Sequence, residues 1–232
     1  MAERETSRVN RIVAHLQEQH RQAAAQHQWD PVFTADYRYE HTLRVAHYGR
    51  LIADEEGLDR ELCVAACLLH DVAYFTCGDR EGWWDNHGRM GAEISRPVLL
   101  DAGFSQEETA AMCHAIAVHV DGRAEDGLPG GPIDDVVSDA DNVDRFSALR
   151  IILWCMTERE DLEKLAAMLR ERLARLYKYR DKSPLKTKAG QRLFAERVAL
   201  QIPLFEGILR DAGITRLPDE FISASLTDHP GF

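Results

Sequence analysis

The run AACLLHDVAYF, residues 65–75, decides how this chain reads. Five apolar residues, two of them large (Leu68, Leu69), lead straight into an adjacent His70-Asp71 pair. Leu62, Ala65, Ala66 and Leu69 recur at helical spacing, so they form the buried side of a helix that Asp59 can cap and that ends near His70-Asp71. A buried helix that delivers an imidazole and a carboxylate at its last turn presents them to the interior rather than to solvent.

Two other runs supply matching chemistry. YRYEHTLRVAH, residues 37–47, contains His41; His41, Val45, Tyr48 and Ile52 share one stripe of a helix expected from Asp36 to Glu56, with Gly57 as its stop. SDADNVDRF, residues 138–146, contains Asp141 and reads as part of a helix that Asp134 or Asp135 can cap. Two imidazoles and two carboxylates form a mixed N/O ligand set suited to a hard or borderline divalent metal. A metal held this way generates hydroxide from water near neutral pH and steadies an anionic substrate. Phosphate-ester hydrolysis is therefore the leading expectation.

Working outward, helical patterning dominates. An opening helix carries Val9, Ile12, Val13 and Leu16 on one face and fades before Trp29-Asp30-Pro31. The stretch 76–86, with Trp83 and Trp84, reads as a loop. A helix runs from His87 to Asp101 and stops at Gly103; Ser105-Gln106-Glu107-Glu108 is a capping box that opens the next helix, through His119. After a Gly/Asp/Pro-rich loop (121–132) and the Asp141 helix come two amphipathic segments, about 158–180 and 188–211, separated by Ser183-Pro184, and a tail beyond Pro218 that reads as irregular. No alternating segment argues for a sheet. The expected fold is all-α: an N-terminal helix (1–35) packing on a metal-binding core (36–157), with a helical extension (158–232) in the same domain.

The 232 residues are 45% hydrophobic, enough to bury a substantial core. A formal net charge of -11 argues against broad binding to DNA or RNA, but not against a small anionic substrate held by a metal and local cations. The five cysteines are odd in number and form no CxxC pair, which fits reduced thiols in a cytoplasmic protein. The polar N-terminus lacks the apolar stretch of a signal peptide, and no segment approaches a membrane span. A small phosphorylated substrate is the expected partner, with no nucleic acid and no membrane; a homodimer is left open.

The order His … His-Asp … Asp spread over helices resembles the HD superfamily of metal-dependent phosphohydrolases, over roughly residues 36–150. The resemblance implies a helical bundle in which His41, His70, Asp71 and Asp141 hold a divalent ion (Mn, Fe, Mg, Co or Ni, one or two per chain). NHGRMGAEI (86–94) resembles the family's fourth-histidine segment and AIAVH (115–119) its later one, so His87 and His119 are implied to bind a second metal or to contact the phosphate. His114, five residues from His119, points elsewhere on the helix and is read as packing or surface. The catalytic residues implied are Asp71, His87, His119 and Asp144, the last by orienting a ligand or water. The alternative reading of Asp139, Asp141 and Asp144 together is a solvated acidic helix face.

For the substrate, Arg44 lies one turn from His41 and Arg145 one turn from Asp141; both are candidates for the pocket wall, as is Lys178 at the head of a basic run with Arg180, Lys182, Lys186 and Lys188. Trp83 and Trp84 are candidates for a lid. Known subfamilies fit poorly: VAYF replaces the Glu-Asp of guanosine-alarmone hydrolases, the cyclic-di-GMP phosphodiesterase pattern is absent, and RFSALR follows Asp144 where many small members carry a Leu-Asp-Ala-x-Gly run. The expected activity is hydrolysis of a small phosphorylated molecule, with a nucleotide in view. The alternatives are an HD-fold di-iron oxygenase using His41, His70, Asp71, His87, Asp141 and one of His114 or His119, and a non-catalytic nucleotide-sensing module.

Overall fold

A computed structural model describes residues 7–26, 29–77, 86–124, 126–157 and 161–213. Among them are ten helices and no strand: α1 (Arg8–Gln26), α2 (Ala35–Glu56), α3 (Arg60–Leu69), α4 (Val72–Cys77), α5 (His87–Ala102), α6 (Gln106–Val118), α7 (Pro132–Arg145), α8 (Ala148–Thr157), α9 (Leu162–Asp181) and α10 (Lys188–Ala212).

Local signals place most helix ends. Thr34 caps α2, whose far end closes on Gly57 in the left-handed region (φ 70°), its N–H donating to Ala53 O. Asp59 accepts from Glu61 N and Leu62 N at 2.8 and 3.0 Å and starts α3. Both halves of the Ser105–Glu108 capping box form. At α7 the expected cap shifts. Pro132 takes the first helical position, and Asp134 sits at the third, where its carboxylate accepts from Gly131 N at 2.7 Å.

Other expectations change. Thr76 and Cys77 belong to α4 rather than to a loop. Residues 148–157 form a separate helix, α8, and Asp161 caps α9. Trp83, Trp84 and the tail beyond Pro218 lie outside the described residues.

Helices α2, α3, α6 and α7 pack in a closed ring, α2 against α3, α3 against α6, α6 against α7 and α7 against α2. On the outside, α1 packs on α2 to α5, α5 pairs with α6, and α10 lies along α2, α7 and α9. The inner stripe of α2 is as its spacing demands: Val45 and Ile52 are fully buried and His41 is 3% exposed. Cys63, Cys67 and Cys113 are buried and unbridged. No helix among the described residues is long and apolar enough to cross a membrane.

Asp139 departs from its reading as a solvated residue. It is buried on α7 and accepts from the backbone N–H groups of Lys186 and Thr187 and from the Thr187 hydroxyl, fastening the α9–α10 connection to the core.

Candidate metal centre

Five helix segments bring the site together: the first half of α2 (His41), the end of α3 (His70 and Asp71), the start of α5 (His87), the end of α6 (His119) and the second half of α7 (Asp141). The start of α5 can reach the end of α6 because residue 88 is glycine. A Cβ there would lie 2.8 Å from Ala117 O and 2.9 Å from Ile116 O, so any side chain would push His87 away from His119.

Asp71 is the centre of the arrangement. Its Oδ2 lies 3.5 Å from His41 Nε2 and 3.6 Å from His70 Nε2; its Oδ1 lies 3.4 Å from His87 Nε2 and 3.8 Å from His119 Nε2. Two groups able to hold a metal ion result, His41–His70–Asp71 and Asp71–His87–His119, sharing one carboxylate. Asp141 faces the first group, its Oδ1 3.3 Å from His41 Nε2 and 4.0 Å from His70 Nε2.

The hydrogen bonds behind the rings set which nitrogen faces inward. His70 Nδ1 donates to Cys67 O and His119 Nδ1 to Ile116 O, each at 2.7 Å. His41 Nδ1 donates to Asp144 Oδ2 at 2.6 Å, and Arg44 Nε holds the other Asp144 oxygen at 2.7 Å. Three Nε2 atoms are thereby turned toward Asp71 and Asp141, as metal-ligating histidines require.

The electrostatics suit a cation. Burial lowers the His70 pKa to about 4, leaving a neutral ring whose Nε2 is buried without a hydrogen-bond partner. Burial also opposes charge on His41 and His119. At His41 the carboxylates of Asp141, Asp144 and Asp71 prevail and raise its pKa to about 9. At His119 Asp71 and Asp141 prevail and raise it too. Burial works against ionised Asp71, but the four surrounding imidazoles hold it well below the usual carboxylate range. His87 Nε2 and His119 Nε2 face each other at 3.2 Å, a separation that needs a proton or a cation between them. An orphaned imidazole nitrogen, two clustered carboxylates and four converging rings fit a divalent ion.

The mouth of the site is a cavity of about 260 Å³ lined by Arg38, His41, Asp71, Tyr74, His87, Asp141, Arg145 and Arg150, with Val120 at its edge. Arg145 is therefore where its position one turn from Asp141 places it, with Nη1 3.7 Å from Asp141 Oδ2. Arg44 is not: it braces Asp144 on the far edge of the His41 ring. Asp144 likewise sits behind His41 with its side chain fully buried; it positions that ring and does not line the cavity. Lys178 is an exposed residue of α9 that lines neither this cavity nor its neighbour. Within its basic run, Lys186 pairs with Asp135 and Arg180 with Asp181. His114 is buried but turns away from Asp71, its Nδ1 2.9 Å from Asp126 and its Nε2 3.5 Å from Asp134 Oδ2, so the later site histidine is His119.

Sequence reasoning missed Arg38, Tyr74 and Arg150. Arg38 is 4% exposed, with Nη1 3.6 Å from Asp71 Oδ2 and its guanidinium carbon 3.8 Å from the Tyr74 ring centroid. Helical spacing offered the signal: Arg38 is one turn before His41, as Arg44 is one turn after. Arg150 reaches in from α8, packed over Phe33 and bonded to the Tyr37 hydroxyl; no sequence pattern links it to the site.

Residues 38–149 match the HD domain family model, and the chain is an HD-domain protein. Its fold is similar to a predicted HD superfamily hydrolase from an uncultured Thermotogales bacterium (20% identity, TM-score 0.56, covering 87% of this chain and 93% of that one). It is equally similar to Bacillus subtilis YpgQ in complex with ADP (18% identity, TM-score 0.57, covering 87% and 96%). Ribonuclease Y of Campylobacter curvus (strain 525.92) is 35% identical over 88 residues, 32% of this chain and 16% of that protein. Ribonuclease Y of Sulfurovum sp. (strain NBC37-1) is 34% identical over 88 residues, 32% and 17%. The chain thus spans about one sixth of the length of these curated relatives.

Asp144→Asn tests the bracing of His41. It is expected to weaken divalent-metal affinity by about 10–100-fold, as loss of a group that orients a metal-bound histidine does. Competition against a fluorescent chelator measures this; affinity equal to wild type would show that Asp144 does not set the His41 ring.

Proposed function

We propose that this chain is a metal-dependent phosphohydrolase acting on a small phosphorylated molecule, a nucleotide. His41, His70, Asp71 and Asp141 hold one divalent ion, and Asp71, His87 and His119 hold a second, with manganese or iron the best match to the imidazole–carboxylate set. The observation that carries the reading is Asp71, whose two oxygens each face a separate pair of imidazoles beneath a cavity rimmed by Arg38, Arg145 and Arg150.

When bound, such ions supply an activated water and polarise a phosphoryl oxygen. The chain's own residues do the rest. Arg38, Arg145 and Arg150 bind phosphate oxygens and offset the charge that builds on them. The Arg44–Asp144–His41 series keeps the proton on His41 Nδ1 and frees Nε2 for the ion. The neighbour crystallised with ADP supports a nucleotide substrate, and the net charge of -11 disfavours a long nucleic acid.

The completed six-residue set, His41, His70, Asp71, His87, His119 and Asp141, also favours a second reading, a di-iron oxygenase. The three arginines at the mouth favour phosphate chemistry over it.

A screen of phosphorylated metabolites with Mn²⁺, Fe²⁺, Mg²⁺, Co²⁺ and Ni²⁺ decides between them. The expected result is phosphate release that needs the metal and stops with chelator. Two irons per chain with oxygen-dependent substrate loss and no phosphate release would establish the oxygenase instead.

A further inference from the structure

A second cavity, of about 310 Å³, adjoins the site between α7, α8 and α9. Four guanidinium groups line it, those of Arg145, Arg150, Arg172 and Arg175, together with the aromatic rings of Trp154 and Tyr179. Among the described residues no carboxylate lines it. That is unexpected in a chain with 39 acidic and 28 basic residues, where a random pocket would expose more negative than positive groups.

The arginines are only partly accounted for by their neighbours. Arg172 stacks on Phe146 at 4.1 Å and donates through Nη2 to Arg145 O at the end of α7, but its Nε is buried with no hydrogen-bond partner. Burial and the nearby charges of Arg175, Arg145 and Arg150 pull its pKa down to about 10, so the like charges oppose one another. Arg175 makes one contact with Glu171, at 3.6 Å on the exposed helix face. Capping of α7 accounts for Arg172 Nη2, Asp141 for Arg145 and the Tyr37 hydroxyl for Arg150, but none of these reaches the buried Arg172 Nε. An anion with several charged oxygens would relieve the repulsion and give the buried Nε an acceptor.

Arg145 and Arg150 line both cavities, so the two adjoin at these side chains. We propose that the second cavity is an anion subsite of the same active site, receiving the further phosphates of an oligophosphate substrate whose reacting phosphoryl group lies at Asp71. The assignment rests on the phosphohydrolase reading for the role of Asp71, and it makes Arg172 and Arg175 selectors of phosphate-chain length.

The test uses the 232-residue chain and its Arg172→Gln and Arg175→Gln variants. Calorimetry reads binding of inorganic tripolyphosphate and of orthophosphate to the chelator-treated protein. Kinetics with the manganese-loaded protein compare adenosine mono- and triphosphate. Each substitution is expected to lower the ratio of tripolyphosphate to orthophosphate affinity about tenfold, the worth of one charge-assisted hydrogen bond, and to lower kcat/KM for the triphosphate relative to the monophosphate. Arg172 also packs against the core, so Arg175→Gln, an exposed position, keeps the test open if Arg172→Gln does not fold. A wild-type chain that binds no tripolyphosphate, or variants with an unchanged ratio, overturn the subsite even if phosphate esters are hydrolysed. Variants with a reduced ratio, when the wild-type chain hydrolyses no phosphate ester, uphold the anion site and remove the phosphohydrolase reading.

Discussion

Asp71→Ala is expected to empty both ion-binding groups in one substitution and to lower turnover by about a thousandfold or more, roughly 4 kcal/mol of barrier. Every other candidate ligand serves one group; only Asp71 faces His41 and His70 with one oxygen and His87 and His119 with the other. The same carboxylate also faces Arg38, with Nη1 at 3.6 Å. Asp71→Asn keeps the shape but not the charge and separates loss of ligation from a local collapse. Metal content by mass spectrometry after desalting, measured beside turnover, is the check. A variant that keeps a tenth of wild-type turnover, or one tightly held ion, would sink the shared-carboxylate arrangement.

A second large effect is expected where the chemistry is not. Asp139→Ala should destabilise the fold by about 3–4 kcal/mol while leaving metal content intact. The carboxylate accepts from Lys186 N at 3.1 Å, Thr187 N at 2.7 Å and Thr187 Oγ1 at 2.8 Å. Removing it strands donors in a buried junction, at about 1–3 kcal/mol each before relaxation. Burial holds the Asp139 carboxyl above its ordinary pKa despite the backbone N–H groups of Thr187 and Lys186 and the Thr187 hydroxyl, so what is lost is a set of bonding partners rather than a favourable charge. Gly190, in the first turn of α10, presses close: a Cβ there would lie 2.6 Å from Asp139 Oδ2. For a chain of this size the loss corresponds to a fall in Tm of about 10 °C. Urea unfolding with metal quantification on the same samples tests it. A shift below about 1 kcal/mol would mean that the α9–α10 connection is held by other contacts.

Local rules made much of the molecule legible from its residues. The stripe from His41 to Ile52, the Asp59 cap, the Ser105–Glu108 box and the Gly57 and Gly103 stops are each decided within a few residues of chain, by helix period or by a side chain reaching its own backbone. The set His41, His70, Asp71 and Asp141 was readable for the same reason: each sits on a face or an end that local patterning identifies. The roles of the surrounding residues were not. Arg38 and Arg44 are both one turn from His41, and nothing near them in the chain says that one reaches Asp71 and the other Asp144. Asp139 and Asp141 are two apart on α7, yet one fastens the α9–α10 connection and the other faces the imidazoles.

The sequence by itself determined most of the helices, their inner faces and the residue types offered to a cation. Only the tertiary structure decided that Arg38 would face Asp71, that Arg44 would brace Asp144 and that Arg150 would arrive from α8. Helix geometry fixes a side chain's bearing around its own axis over a few residues. What that side chain meets depends on where helices remote in the chain come to rest, and that is set by packing of the whole core.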